Sequence, residues 1–303
     1  MRHRPVVVFI LLLLTAGHPA CETTSSDGVV TDTRAGSDTT VVWPDTQQPP
    51  PTDTGGIDPS MCPANNDGQI EMAEMPIVPG VVVSYMSNAL GQTVAVNPAG
   101  TATDSGVLWD FVDGPADVVA ALDIVAVSGA WFYPHFPSGT YATPVLLTDL
   151  DELAVFQVTD STIEMLGLVS RHELPDNQLT LLVYDTPVVV YRFPIRLGQS
   201  WEQQVEFRDA RLKGIKNAGR ETYTFSVDAV GTLQLPQFGF ENTLRVRLEL
   251  TQMLAVSQGS NIIQTVRYFY VHECAGEVAR IVGLPGHTEL DFTTASEFRR
   301  LGF

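Results

Sequence analysis

The segment Cys62–Glu74, CPANNDGQIEMAE, contains the pattern in this chain that comes closest to a metal-binding motif. Oxygen-bearing side chains recur there two residues apart, a glycine follows the second of them, and a glutamate closes the segment, as in a calcium-binding EF-hand loop. The candidate ligands are Asn65, Asp67, Gln69 and Glu74. The first position of such a loop usually holds an aspartate, but here it holds Pro63, which offers no side-chain ligand. The pattern therefore predicts either a calcium site of about millimolar affinity or an Asn-Asp-Gly turn that leads into one turn of helix.

The histidines beyond the N-terminal segment form no recognisable catalytic or metal-binding motif. They are His135, His172, His272 and His287. His172 and His272 are each followed by a glutamate, as in the zinc-protease motif, but neither has a second histidine four residues later. A serine nucleophile elbow, a phosphate-binding loop and a dinucleotide fingerprint are also absent from the sequence. The sequence assigns no catalytic residue, and it favours a binding or structural role over an enzyme.

Basic side chains crowd a single stretch of this acidic protein, which we predict to be a loop from Asp209 to Arg220. They are Arg208, Arg211, Lys213, Lys216 and Arg220. Such a cluster indicates either a contact with an anion or a partner protein, or a hairpin tip that charge keeps solvated.

The densest aromatic group lies between residues 131 and 141. It consists of Trp131, Phe132, Tyr133, Phe136 and Tyr141. Aromatic side chains at this density either fill a core or surround the mouth of a ligand cavity.

The formal net charge of −18 excludes polyanion binding as a leading function, because so acidic a chain repels nucleic acid and anionic membrane surfaces. The charge is also uneven, since no lysine or arginine occurs between Ala35 and Ser170. This asymmetry indicates either a general acidic bias, or a cation site or attraction between the two halves of the chain.

The first residues have the form of an export signal. Arg2 and Arg4 precede the apolar run Val6–Leu14, which is too short to cross a hydrocarbon core about 30 Å thick. We therefore predict that residues 1–20 are a signal peptide. This feature predicts a location in the cell envelope or outside the cell.

Cys21, which follows His18-Pro19-Ala20, resembles the lipidated cysteine of bacterial lipoproteins, although His18 stands where those proteins carry a leucine-like residue. The resemblance implies a lipid anchor in the outer membrane, the periplasm or the cell surface; the alternative is ordinary cleavage and a soluble secreted protein. Residues 21–60 are rich in Thr, Asp, Pro, Gly and Ser, and we predict that they form a disordered tether. We predict that residues 61–76 form a small acidic turn and that residues 77–303 form an antiparallel β-domain.

If Cys21 carries a lipid, the remaining cysteines are Cys62 and Cys274. An even pair in an oxidising compartment predicts one disulfide. This bond would join the start of the β-domain to the end of its central strands.

The stretch Glu221–Cys274 predicts three consecutive antiparallel strands. In it, apolar residues alternate with polar ones, as expected for strands with one buried face. The residues predicted to face the core are Tyr223, Phe225, Val227, Leu244, Val246, Leu248 and Leu250.

Elsewhere, strand-like runs recur with turn signals between them, and no long amphipathic helix is evident. We predict hairpins formed by 79–85 with 92–96, by 153–158 with 161–170, and by 179–184 with 188–193. The expected fold class is all-β: a mainly antiparallel β-sandwich or a curved half-barrel with little helix.

Several strand segments, among them GVLWDFV at Gly106, YRFPIRLGQSWE at Tyr191 and VRYFYVHECAGEVARI at Val266, are similar to a broad group of secreted bacterial β-proteins and lipoproteins. The similarity covers about residues 80–282, and it implies a fold and an envelope location but no catalytic residues. We therefore expect a non-enzymatic, envelope-anchored β-protein with a binding or structural role, whose partner is an unknown protein. The alternative is a carrier that encloses an apolar, lipid-like ligand in a half-barrel. No cofactor is expected other than a weakly bound calcium ion.

Overall fold

The computed structural model describes residues 62–104, 106–147, 149–256 and 259–302. The predicted signal peptide, the lipidation site Cys21 and the predicted tether lie outside these residues. Two short 3-10 helices, Met72–Glu74 and Tyr133–His135, are the only helices in the described ranges. None of the described helices has the length and apolar character needed to cross a membrane.

The rest of the regular structure in the described residues consists of eighteen strands, numbered here in chain order. They are β1 (Gln69–Ile70), β2 (Val82–Ser87), β3 (Val94–Ala95), β4 (Thr101–Thr103), β5 (Gly106–Asp110), β6 (Val118–Asp123), β7 (Val125–Ala126), β8 (Tyr141–Pro144), β9 (Glu152–Val158), β10 (Thr162–Ser170), β11 (Leu181–Arg192), β12 (Ile195–Arg196), β13 (Ser200–Leu212), β14 (Ile215–Gln234), β15 (Gly239–Val256), β16 (Gly259–His272), β17 (Gly276–Gly283) and β18 (Thr294–Leu301).

One sheet contains all strands except β1 and β12, which pair with each other. Its order is β6-β2-β18-β17-β16-β15-β14-β13-β11-β10-β9-β8-β7, with β3 on β18 and the pair β4–β5 attached to β14. The neighbours along this order are antiparallel, whereas β5 runs parallel to β14. The sheet curves into a nearly closed half-barrel, which confirms the all-β class and selects the half-barrel over the sandwich.

The two ends of the strand order meet at a boundary that we call the seam. The strands at these ends, β6 and β7, are separated in the chain by Ile124 alone. Arg171, which follows β10, donates to both carboxylate oxygens of Asp123 at 2.7 and 2.8 Å. This pair links the last residue of β6 to the far side of the seam, and it lowers the pKa of Asp123 through the hydrogen bond from Arg171.

The predicted alternation in β14 and β15 is confirmed, because every residue predicted to face the core is buried in the main cluster inside the half-barrel. The opposite face of β16 is also apolar, and it packs against Trp109 and Phe111 of the segment that carries β5. A second stretch of chain, which contains Phe132 and Phe136, covers the outer face of β9 and β10. The half-barrel therefore has an interior and two separately covered outer patches.

The predicted hairpin of 79–85 with 92–96 is wrong. Both β2 and β3 pair with β18, and they lie end to end along its edge. The reason lies in Asn88, which accepts a hydrogen bond from the backbone amide of Phe298 at 2.8 Å and donates to the carbonyl of Gln92 at 2.7 Å. Its side chain ties the connection between β2 and β3 to β18. On its other side, β2 pairs with β6 along its whole length.

The predicted hairpin of 179–184 with 188–193 is also wrong, because both segments belong to the single strand β11. The pairing with β10 shifts between Val183 and Val188, so the residues between them form an irregularity rather than a chain reversal. Gln203 of β13 stabilises this region by accepting from the amide of Val189 at 2.9 Å and donating to the carbonyl of Pro187. Pro187 has no N–H, and it is accommodated at this irregular position.

The predicted loop Asp209–Arg220 is wrong as well. The β13–β14 pairing extends to Leu212 and Ile215, so the connection is the tight turn at Lys213 and Gly214. Lys213 and Gly214 both adopt positive φ angles, which a tight turn between paired strands requires. The hairpin 153–158 with 161–170 and the β14–β15–β16 meander are confirmed.

Candidate ligand-binding interior

Two adjoining cavities occupy the interior of the half-barrel. The first has a volume of about 280 Å³ and the second of about 250 Å³. They share a wall formed by Val145, Phe156, Val190, Phe269 and Arg280. Each cavity alone is slightly smaller than the range of about 300–1,000 Å³ that is typical of small-molecule sites, whereas the two adjoining cavities together fall within it.

Three tyrosines line the first cavity: Tyr85, Tyr141 and Tyr191. The Tyr85 hydroxyl donates to the carbonyl of Glu277 at 2.8 Å, whereas no hydrogen bond joins the hydroxyls of Tyr141 and Tyr191 to another described residue. Burial raises the pKa of both Tyr141 and Tyr191 far above the ordinary range, so these hydroxyls stay protonated. Each can donate a hydrogen bond to a molecule in the cavity.

A buried ion cluster forms one side of the first cavity. The Glu277 carboxylate bridges Arg280, at 2.5 Å, and Arg299, at 2.6 Å, and Arg280 also donates to the carbonyl of Val145 at 2.6 Å. Burial opposes the charge of Glu277, but the two guanidinium groups outweigh it and hold the pKa of this carboxyl below its usual range. Arg299 has a second acidic neighbour in Glu297, at 3.6 Å. The two arginines that contact Glu277 are therefore already paired.

The second cavity contains a carboxylate whose hydrogen-bonding capacity is used within the protein. Tyr184 and Tyr223 both donate to one oxygen of Glu221, at 2.7 and 2.5 Å, and Gln252 donates to the other at 2.7 Å. Burial raises the pKa of both tyrosines well above its usual value, and the neighbouring acidic groups add to this effect. These hydroxyls remain donors, and they keep Glu221 satisfied.

The other acidic groups of the second cavity also have partners. Asp149 forms an ion pair with Lys213 at 2.7 Å. Glu152 accepts a hydrogen bond from Thr180 at 3.4 Å, and its pKa is raised by burial and by the nearby Asp149. Neither carboxylate contacts Arg267, which lines the same cavity.

Arg267 differs from the other charged side chains of the second cavity that the structure describes, because its guanidinium forms neither an ion pair nor a hydrogen bond with a described residue. Its Nε atom is buried without a partner. Burial, followed by the charge of Arg280, lowers the pKa of Arg267 from its usual value, and this outweighs the opposite effect of Tyr223, Glu297 and Glu221. Arg267 is therefore a cation without a direct partner in a cavity whose three carboxylates each have partners of their own.

One end of the interior is covered by residues 62–77, which we call the cap segment. Met75, Pro76 and Ile77 line the first cavity, and Cys62 forms a disulfide with Cys274, as predicted. Further contacts connect the cap segment to the turn after β16: the amide of Asn66 donates to the side chain of Glu273 at 2.9 Å, and the amide of Cys274 donates to the carbonyl of Glu74 at 2.8 Å. Gly276 of this turn lies so close to Pro76 that a Cβ atom would be 3.3 Å from its ring.

The residues predicted to bind calcium lie in the cap segment and hydrogen-bond within it. Asn65 Oδ1 accepts from the amide of Asp67 at 2.9 Å, and Asp67 Oδ1 accepts from the amide of Gln69 at 2.8 Å. The Glu74 carboxylate is buried and accepts from the amide of Glu71 at 2.8 Å. Among the described residues, no group of three or more His, Cys, Asp or Glu side chains is placed to hold a metal ion. These geometries match the predicted turn that leads into one helical turn, and the calcium site stays a prediction.

The basic residues near the β13–β14 turn are mostly paired. Arg208 and Arg220 contact Glu206 at 3.2 and 2.7 Å, and Arg211 contacts Asp176 at 2.6 Å. Lys213 is paired with Asp149, as described above, and Lys216 is exposed on β14. Partner binding by this group stays a prediction.

The aromatic group near residue 131 is divided between a core and the wall of the first cavity, and its role at the mouth of a ligand cavity stays a prediction. Phe132 and Phe136, which are 1% and 2% exposed, fill the core outside β9 and β10. Trp131 packs against this cluster and donates from its indole N–H to the carbonyl of Ser170 at 3.1 Å, whereas Tyr133 is exposed. Tyr141 lies on the other face of the sheet and lines the first cavity.

Sequence reasoning missed the charged residues of the interior. Two of them carried a usable signal, because Glu221 and Arg267 stand two residues before Tyr223 and Phe269 and therefore share their face of the sheet. A charged residue that occupies the same alternate positions of a strand as the buried apolar residues indicates either an edge of the core or a polar site within it.

Comparison with known protein families, with characterised proteins and with solved structures found no match to the chain.

Proposed function

We propose that this protein is a non-enzymatic, envelope-anchored binding protein that holds an apolar ligand inside its half-barrel. The observation that carries this proposal is the pair of adjoining cavities, which occupy space that a sandwich would fill with side chains. Their shared wall is mostly apolar, and the free tyrosine hydroxyls provide a few polar contacts, as is common in small-molecule sites.

The envelope anchor rests on the sequence. A signal peptide, a cysteine at position 21 and a polar tether of residues 21–60 would place the half-barrel at the end of a flexible lipid-anchored segment. A carrier in this position could take up and release an apolar molecule close to a membrane.

The proposal is tested by native mass spectrometry of the full chain extracted from its own envelope, followed by the same measurement after denaturation. We expect a mass that is lost on denaturation and whose organic extract contains an apolar compound. We also expect Val190→Phe, which enlarges a side chain in the wall shared by the cavities, to reduce this occupancy. The matched control is Val183→Phe on the same strand, because Val183 is exposed. Equal occupancy in the two variants, or no releasable mass in the wild-type protein, would contradict the proposal.

A further inference from the structure

Arg267 is placed on β16 so that its side chain enters the second cavity. Its neighbour two residues along the strand, Phe269, belongs to the shared wall of the two cavities, and the next interior residue, Val271, belongs to the buried cluster. The intervening residues Val266, Tyr268 and Tyr270 pack in the cluster on the outer face. The alternation of the strand therefore fixes Arg267 in the interior rather than at the surface.

Keeping this cation in an apolar interior is unfavourable without a partner, because a buried charge requires an opposite charge or hydrogen bonds to replace water. The other interior arginines meet this requirement, since Arg280 and Arg299 share Glu277. Arg267 has no such direct partner, because the carboxylate of Glu221, which lines the same cavity, is hydrogen-bonded to Tyr184, Tyr223 and Gln252. The charges of Glu297 and Glu221 act on Arg267 only without a hydrogen bond or ion pair.

From this geometry we infer that the second cavity binds the carboxylate of an amphipathic acid, that Arg267 is the residue that recognises it, and that the apolar chain of the ligand lies among the side chains of the interior. This inference rests on the proposed function and names the class of ligand. A guanidinium presents two parallel N–H donors to a carboxylate, which gives the pair both charge and orientation. One unpaired arginine matches one negative charge, which favours a monoanionic acid over a dianionic phosphate.

The position of Arg267 also determines how the ligand is oriented in the interior. The wall that the second cavity shares with the first contains Val190, Phe156 and Phe269, and it gives an apolar chain a surface to pack against. The hydroxyls of Tyr141 and Tyr191 in the first cavity are neutral donors, so they can accommodate a weakly polar group but add no charge.

The test is a calorimetric titration of the full chain with two probes of equal chain length, dodecanoate and dodecan-1-ol. We expect dodecanoate to bind more tightly than the alcohol.

We expect Arg267→Gln to weaken dodecanoate binding by about 10- to 100-fold, since a hydrogen-bonded charge is lost, and to leave the affinity for the alcohol unchanged. Arg267→Lys keeps the charge without the two-pronged geometry and should retain part of the preference for the acid. Arg208→Gln is the matched control, because Arg208 is 82% exposed.

Thermal unfolding of the same variants without ligand separates recognition from a structural role. Arg267→Gln should be at least as stable as the wild-type protein, because it removes an unpaired charge from the interior. Equal binding of the acid and the alcohol by the wild-type protein would overturn the inference and leave the proposed function standing, as would a loss of both affinities in Arg267→Gln. If neither probe bound to the wild-type protein, the proposed function would fail together with the inference.

Discussion

Glu277 is the centre of a buried charge network that includes Arg280 and Arg299. The position of Glu277 depends on one irregularity of the sheet. Glu277 and Arg280 are three residues apart on β17, a spacing that puts side chains on opposite faces of a regular strand. The register between β16 and β17 shifts after Tyr270, so that Val278 is an extra residue and both charged side chains face the interior. A bulge of this kind has no clear signature in the sequence, which is why the cluster could not be predicted.

We expect Glu277→Gln to lower the free energy of unfolding by about 3–5 kcal/mol, because it leaves Arg280 without its carboxylate partner and Arg299 with only the longer contact to Glu297. Urea denaturation at neutral pH measures this difference. The matched control is Glu206→Gln, since Glu206 also bridges two arginines, Arg208 and Arg220, but at the surface. In this control variant, the free energy of unfolding should change little. Similar losses in the two variants would contradict the assignment of the Glu277 cluster to a buried site.

The pairing of Glu277 also predicts how the free energy of unfolding changes with pH. The pKa of Glu277 is lower in the folded protein than its usual value, so the charged carboxylate stabilises the fold above that usual value. As the pH falls through the range in which the folded protein takes up this proton, the stabilisation is lost. The difference between the wild-type protein and Glu277→Gln should therefore be largest at neutral pH and shrink on acidification. Denaturation curves at a series of pH values measure it, and a difference that grows in acid would refute this account.

At the scale of elements, the sequence predicts strands better than connections. The alternation of Tyr223, Phe225 and Val227 identified the central meander because a buried face leaves a direct period of two in the residue types. The reversal expected at Asp185-Thr186-Pro187 was wrong because the same residue types suit a turn and a bulge, and the choice depends on β13, which is distant in the chain.

The disulfide is the covalent link between the cap segment and the turn after β16. Replacing Cys62 and Cys274 together by serine should lower the free energy of unfolding by about 2–5 kcal/mol, because the bond closes a very long loop in the unfolded chain. Denaturation under non-reducing conditions measures the loss, and a reducing agent should produce the same loss in the wild-type protein. Cys21→Ser is the matched control and should leave stability unchanged. Equal stability of the double variant and the wild-type protein would show that the cap segment is held by its other contacts.

At the scale of the whole molecule, local patterns could not choose between a sandwich and a half-barrel. Both architectures need the same alternation in β14, β15 and β16, whereas the difference lies in which strands meet at the ends of the sheet. Here the N-terminal strand β2 pairs with the C-terminal strand β18. This non-local contact brings the seam together and creates the interior.

The strand order of the sheet ends at the seam, with β6 on one side and β7 on the other, and the Arg171–Asp123 pair lies across it. Asp123→Asn removes the charge from that pair, which is partly exposed, so global stability should fall by less than about 1 kcal/mol. The local effect should be clearer: amide hydrogen exchange in β6 and β7 should become faster, while exchange in β14 and β15 stays as in the wild-type protein. Asp176→Asn, which removes the partner of Arg211 at the surface, should leave exchange at the seam unchanged. Faster exchange throughout the central strands in Asp123→Asn would mean that the half-barrel opens only as one unit, and that the seam is not an independent point of entry to the interior.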